Sequence, residues 1–167
     1  MKVQEADFHM DGDAIFQLVN ECYGVEIGNS GYAFKTTPRM MDPAQAEFRR
    51  SYEEGRVLKI MGADGQGVDG VLFFELMPEK ECVFFGPFAV SKKHAGKGYG
   101  RALISHMENV ARKAGMKWVL LYNVNHRQDL SALYAHWGFE TLEETVPYPV
   151  ESRLTRPSHF IQLRRAL

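Results

Sequence analysis

Residues 94–103 read HAGKGYGRAL, and they limit the chain more than any other stretch. Gly96, Gly98 and Gly100 stand at alternate positions where an apolar, strand-like run ends and a helix-patterned run begins. A glycine costs a helix about 1 kcal/mol relative to alanine. Three of them at a helix start therefore give up stability for backbone freedom. The first N–H groups of a helix lack partners within it, and its macrodipole is positive there. Glycines let such amides approach an anion closely. Lys92, Lys93, Lys97 and Arg101 add positive charge at the same place. The segment reads as a phosphate cradle or, more plainly, as a glycine-rich turn with a solvated basic face.

Two defined phosphate motifs do not fit. A P-loop needs Gly-Lys-Ser/Thr after its last glycine, and the chain has Gly100-Arg101-Ala102. A dinucleotide fingerprint needs G-x-G-x-x-G, and Gly100 comes one residue early for it.

The rest of the pattern supplies the setting. Ile15, Leu18, Val19 and Cys22 follow the i, i+3, i+4, i+7 spacing of an amphipathic helix. Val25 to Met41 has no clear period and reads as a loop. Asp42-Pro43-Ala44-Gln45 combines an N-cap, a proline at the first helical position and a capping-box glutamine, which predicts a second helix ending near Gly55. Strands are expected at Val57 to Met61, Val68 to Leu76 and Cys82 to Val90, with turns at GADGQG and Pro78-Glu79-Lys80. Then come a helix from Ala102 to Gly115, a strand from Trp118 to Val124, a helix from Asp129 to Trp137, and strands at Phe139 to Thr145 and His159 to Leu163. This order predicts an α+β (mixed α/β) fold, a mixed sheet with helices on both faces. No repeat or composition shift divides residues 1–167, so a single domain is expected.

Composition narrows the function classes. With 45% hydrophobic and 25% charged residues and a net charge of −1, the 167-residue chain lacks the basic excess of a dedicated nucleic-acid binder. Its N-terminus has no apolar core of a secretory signal, and no run approaches a membrane span. Cys22 and Cys82 are too few for a disulfide framework and fit a reducing compartment. The expectations are a cytoplasmic protein with no metal, no nucleic-acid partner and no membrane partner. A homodimer is compatible with the composition but not required by it.

FAVSKKHAGKGYGRALISHME, followed by NVNHRQDLSALYAHWGFE, resembles the GNAT family of acyl-CoA-dependent N-acetyltransferases. The family signature Gln/Arg-x-x-Gly-x-Gly/Ala maps onto Ala95 to Gly100, with Ala95 in place of the usual Arg or Gln. The resemblance implies a mostly antiparallel sheet with one splayed pair of parallel strands. It also implies acetyl-CoA as cosubstrate, its diphosphate held by Ala95, Gly96, Lys97, Gly98, Tyr99, Gly100 and Arg101. Gly86-Pro87 lies within the strand that would splay, where glycine and proline mark a bulge. Phe88, Ala89 and Val90 would then offer backbone groups to the pantetheine arm and one amide to the thioester oxygen. Leu133-Tyr134-x-x-x-Gly138-Phe139 matches the family's helix end, which implies that Tyr134 protonates the departing thiolate. Asn125, with Leu130 beyond it, is the expected pantetheine contact, and Asn123 competes for that role.

The general base stays open. Histone-acetylating members carry a glutamate where this chain has Phe84. Glu75, Glu81, His159 and a water chain are the substitutes. Cys82 reads as a core residue, not as an acyl-enzyme nucleophile. The acceptor would be a small amine or a peptide, lined by Glu26 to Met41 and Val146 to Pro157. The leading expectation is acetyl transfer to a primary amine by direct attack in a ternary complex. A non-catalytic acyl-CoA sensor on the same fold is the alternative.

Overall fold

Strands β2 (Arg56–Met61) and β3 (Val68–Met77) are mostly apolar, with no strict alternation, because both of their faces are covered. Leu58, Ile60, Leu72 and Phe74 point to one side and join a core with Val83, Phe85, Leu103 and Met107. Val57, Val71 and Phe73 alternate to the other side and pack on Ile15, Leu18 and Val19. A computed structural model describes residues 1–28, 55–62, 65, 67–148 and 154–167.

The remaining elements are β1 (Val3–Glu5), α1 (Phe8–Gly28), β4 (Cys82–Val90), α2 (Tyr99–Lys113), β5 (Trp118–Val124), α3 (Gln128–His136), β6 (Glu140–Pro147) and β7 (His159–Ala166). The seven strands form one sheet in the order β1-β2-β3-β4-β5-β7-β6. Neighbours run antiparallel except for β4 and β5, which are parallel and joined through α2. Helix α1 covers one face, and α2 and α3 cover the other. The α+β class, the helices on both faces and the single parallel pair are as the sequence predicts. Arg165 of β7 ties the second face together: its guanidinium pairs with Glu108 of α2 and donates to Trp137 O at the end of α3 (2.6 Å).

Several boundaries differ from expectation, and three of them have a physical reason. Strand β1 has only three residues, too few to display a period, and it forms because the edge of β2 offers Leu58 to Ile60 as partners. Helix α1 continues to Gly28 where a loop was expected from Val25; a lone glycine such as Gly24 costs a helix about 1 kcal/mol, which need not end it. Strand β7 extends beyond Leu163 to Ala166, since β5 pairs with it along its whole length. The helix expected from Asp42 to near Gly55 lies outside the described residues.

A buried ion pair fastens α1 to β2. Lys59 of β2 and Asp11 of α1 are both buried, with Nζ 2.5 Å from Oδ1, while Asp11 Oδ2 accepts from the Asp7 N–H (2.7 Å). Removing one partner of a buried pair strands the other charge. Lys59→Met should cost about 2–3 kcal/mol in urea unfolding, slightly below the range for fully buried pairs. Asp11→Asn combined with Lys59→Met should recover at least half of that loss. A single variant as stable as the parent would show that the pair contributes nothing.

Candidate active site

The site begins where a parallel pairing stops. Strands β4 and β5 are in register only from Cys82↔Trp118 to Phe84↔Leu120. On its other side β4 stays paired with β3, but Phe85 faces Phe74 and Phe88 faces Leu72, so Gly86 and Pro87 together stand against Phe73 alone. This is a bulge at the position the sequence marked. Gly86 sits at φ +145°, a conformation that L side chains rarely adopt, and proline has no N–H to give to a ladder. A bulge bends its strand and increases the local twist. Here it carries the second half of β4 away from β5 and opens a cleft lined by Phe85, Phe88, Tyr122 and Tyr134 among others.

The bend exposes backbone. Successive residues of an antiparallel strand turn their N–H and C=O groups to opposite sides. Ser91 N–H donates to Asp69 O of β3 (2.9 Å), so Ser91 and Ala89 face β3, while Phe88 and Val90 face away from it. Of the three residues expected to offer backbone to a ligand, Ala89 is thus turned into the sheet. Helix α1 meets the other two. The Tyr23 hydroxyl accepts from the Phe88 N–H (3.3 Å) and donates to Phe88 O (3.4 Å), and Cys22 Sγ donates to Val90 O (3.3 Å). Burial pushes the Cys22 thiol above its ordinary value.

The glycine segment leads from the end of β4 into α2, and its three glycines serve different purposes. Gly96 (φ +74°) and Gly98 (φ +84°) hold left-handed backbone with open space where a Cβ would lie. Gly100 differs: a Cβ there would lie 2.8 Å from the Phe88 ring, so its absence lets the first turn of α2 rest on β4. Among the described residues nothing accepts from the N–H groups of Gly96, Gly98, Tyr99, Gly100 or Arg101. Ala102 N–H starts the helical ladder at Gly98 O (2.9 Å). The N–H groups of Ala95 and Lys97 are used within the turn, on Lys92 O and His94 O (both 3.1 Å). Lys93 is not a free cation for a ligand, because its Nζ lies 2.8 Å from Asp69 Oδ1.

Helix α3 supplies the wall opposite β4. Tyr134 and Leu130 line the cleft, and the Tyr134 ring packs edge-on to Phe85, Trp137 and Phe139. Burial pushes the Tyr134 phenol well above its ordinary value, so it stays protonated. Among the described residues its hydroxyl has no hydrogen-bond partner. Asn123, at 4% exposure, lines the cleft and uses its amide N–H groups on Arg127 O and Ser131 Oγ (both 3.0 Å), which braces the start of α3. Asn125, the preferred candidate from sequence, lies outside the cleft lining: its Oδ1 accepts from the His159 N–H (3.3 Å). Arg127 lines the cleft and is held in a two-pronged contact with Asp129 (2.9 Å each).

The candidate bases separate by position. Glu81 sits at the opposite end of β4 from the cleft, paired with Lys117 at 2.5 Å. Cys82 is buried at that same end, with its thiol raised by burial, which removes it from any acyl-transfer role in the cleft. Glu75 of β3 lies directly across from Phe84. The Phe84 ring meets Tyr122 edge-on at 4.9 Å, and Tyr122, a cleft residue, stacks on Phe160 at 5.8 Å. Glu75 is therefore the carboxylate beside this row of rings. His159 opens β7 next to Phe160. Among the described residues no group of His, Cys, Asp and Glu is placed to hold a metal ion, and no helix is long and apolar enough to cross a membrane.

Sequence reasoning missed Tyr23, Asp69, Arg127, Tyr122 and Phe160. Tyr23 was within reach, being the i+8 position of the stripe that starts at Ile15. The contact of Asp69 with the glycine segment spans about twenty-five positions and has no local signature.

Comparison with known proteins fits this geometry. Residues 55–141, just over half the chain, match the family model of the acetyltransferase (GNAT) domain. No curated protein matches the chain in sequence. Among solved structures, a ribosomal-protein-alanine N-acetyltransferase from Brucella melitensis superposes with a TM-score of 0.70 at 18% identity over 100% of both chains. An IAA acetyltransferase from Bacillus cereus gives 0.64 at 18% identity over 99% of both. A structure assigned as a streptothricin acetyltransferase from Bacillus anthracis, in complex with acetyl coenzyme A, gives 0.57 at 14% identity over 68% of this chain and 63% of that one. At such identities the structures attest the fold, and the family match does the rest: the chain belongs to the GNAT acetyltransferases.

Proposed function

We propose that this chain is an acetyl-CoA-dependent N-acetyltransferase that acts on a primary amine by direct attack within a ternary complex, as a single domain. One observation carries the reading. Strand β4 joins the two halves of the site: the outward-facing Phe88 lines the same cleft as Tyr134, and its ring lies under Gly100, in the turn where the amides of Gly96 and of Gly98 to Arg101 have no acceptor among the described residues.

Each group has a separate task. The N–H groups of Gly96, Gly98, Tyr99, Gly100 and Arg101 hold the diphosphate at a positive helix end, with Lys97 and Arg101 adding charge. Phe88 and Val90 pair with the pantetheine amides as a missing strand would. The Phe88 N–H then donates to the thioester oxygen as negative charge grows on it. That N–H also meets the Tyr23 hydroxyl, which must give way as coenzyme enters. Tyr134 donates to the departing thiolate. The burial that raises its pKa also raises that of a thiol in the same cleft, so donor and acceptor remain matched. Glu75, rather than Glu81, is the carboxylate positioned to draw a proton from the amine. The row Phe84, Tyr122 and Phe160 suits an acceptor with an apolar portion.

Tyr134→Phe removes only the hydroxyl. A general acid supplies about a hundred- to ten-thousandfold, so kcat should fall by about that factor or somewhat less, with coenzyme affinity little changed. Because burial raises the phenol, kcat should show no alkaline decline from Tyr134 below about pH 10, and activity should rise with pH as the amine deprotonates. A variant whose kcat stays within about threefold, with chemistry rate-limiting, contradicts the acid role. Tight acetyl-CoA binding with no thiol release across amines, arylamines and peptides would instead favour a sensor.

Gly98→Asp tests the diphosphate cradle. It should cost about 1 kcal/mol of stability for its left-handed backbone and lower coenzyme affinity by about ten- to a hundredfold, or 1.4 to 3 kcal/mol. Gly100→Asp is the poorer probe, since its Cβ would strike Phe88 and disturb packing as well. Unchanged affinity in folded Gly98→Asp, measured by calorimetry, would refute the cradle.

A further inference from the structure

We infer that Asp69 is a positioning residue for coenzyme binding, fixing the glycine turn through His94 and Tyr99. The inference rests on the reading that the amides of Gly96 to Arg101 take the diphosphate.

A turn built from glycines has little of its own to hold it in shape. Neither Gly96 nor Gly98 has any neighbour within 4 Å of where a Cβ would lie, and both use backbone angles that glycine adopts among many others. Whatever preorganises those amides must act at the ends of the turn. At one end is His94, whose N–H donates to Ser91 O (2.8 Å) and whose carbonyl accepts from Lys97 (3.1 Å). At the other is Tyr99, the first residue of α2 and the owner of one of the unpaired amides. The two rings stack face to face, 4.2 Å apart and 8° from parallel, and so clasp the ends together.

Asp69 holds that clasp to the sheet. It is 3% exposed on β3, and its Oδ2 accepts from His94 Nε2 (2.9 Å) while its Oδ1 meets Lys93 Nζ (2.8 Å). Its carbonyl accepts from the Ser91 N–H (2.9 Å), so one buried residue ties down three positions of the segment that leads into the turn. Burial alone would raise the carboxyl, but the contacts with Lys93 and His94 reverse this and hold it below its ordinary value. Asp69 is thus an anion buried beside a turn that is meant to receive another anion. Long-range charge makes that arrangement unfavourable for binding, and positioning gives it a use.

The two effects predict opposite signs. If Asp69 acted only through its charge, Asp69→Asn would tighten coenzyme binding. As a positioning residue its loss should weaken binding about tenfold, because the amides must then be ordered at the moment of binding. Calorimetry with coenzyme A, together with steady-state kinetics, reads both. The expected result is a raised Kd and raised KM for coenzyme, with kcat at saturating coenzyme and the acceptor KM within about twofold of the parent. A merely structural role would lower the unfolding midpoint without this split. Equal or tighter binding by folded Asp69→Asn overturns the inference. Should that variant fail to fold, His94→Ala decides, since the His94 side chain is 15% exposed and lies outside the core. About fivefold weaker coenzyme binding is expected of it, and unchanged binding overturns the inference. Absence of coenzyme binding by the parent protein would instead defeat the reading on which all of this rests.

Discussion

The structure depends on an interrupted ladder. Two parallel strands that shared hydrogen bonds along their whole length would leave no room between them. Here β4 and β5 separate after Phe84 and Leu120 because Gly86 and Pro87 bulge against Phe73. That one irregularity makes the cleft and frees the backbone of Phe88 and Val90. It also places the Phe88 ring under Gly100, so the turn of α2 is seated by the strand that opens the gap. The bulge is tolerable because β4 keeps β3 on its other side and both faces of the sheet are packed.

Backbone left unpaired in a protein interior is costly, and α1 relieves that cost. Tyr23 takes both polar groups of Phe88, and Cys22 takes the carbonyl of Val90. Coenzyme would therefore exchange hydrogen bonds with α1 rather than fill a vacant edge, which couples the entry of coenzyme to the helix that leads toward the expected acceptor loop. The glycine turn is organised differently. Among the described residues the amides of Gly96 and of Gly98 to Arg101 have no acceptor, and order comes from the His94–Tyr99 stack and from Asp69 behind it.

Most of the fold was legible because its signals are local. The run Cys82 to Val90, the glycines before α2 and the Leu133-Tyr134 to Phe139 helix end each carry their meaning within about ten residues. The bulge was legible for the same reason, since glycine followed by proline has few other uses inside a strand. What escaped was either short or distant. Strand β1 has three residues and no period of its own. Asp69 looks like one polar residue in an apolar strand until the chain folds back and sets His94 against it. The choice between Asn123 and Asn125 could not be made from spacing, because both lie near the end of β5 and only the course of the chain turns one of them into the cleft. The glycines were recognised as a group, yet Gly100 is helical where the other two are left-handed, and its need for glycine comes from Phe88, twelve residues before it.

The central claim is that the β4–β5 gap and the glycine turn together form one acetyl-CoA site. The most direct measurement is a titration of isotope-labelled protein with acetyl-CoA, following backbone amide resonances. The account predicts saturable shifts concentrated at Gly96, Gly98, Tyr99 and Gly100 in the turn and at Phe88 and Val90 in the gap, with Tyr23 responding as its hydroxyl is displaced. Saturable binding that leaves Phe88 and Val90 unmoved, with shifts confined to another surface, would contradict it.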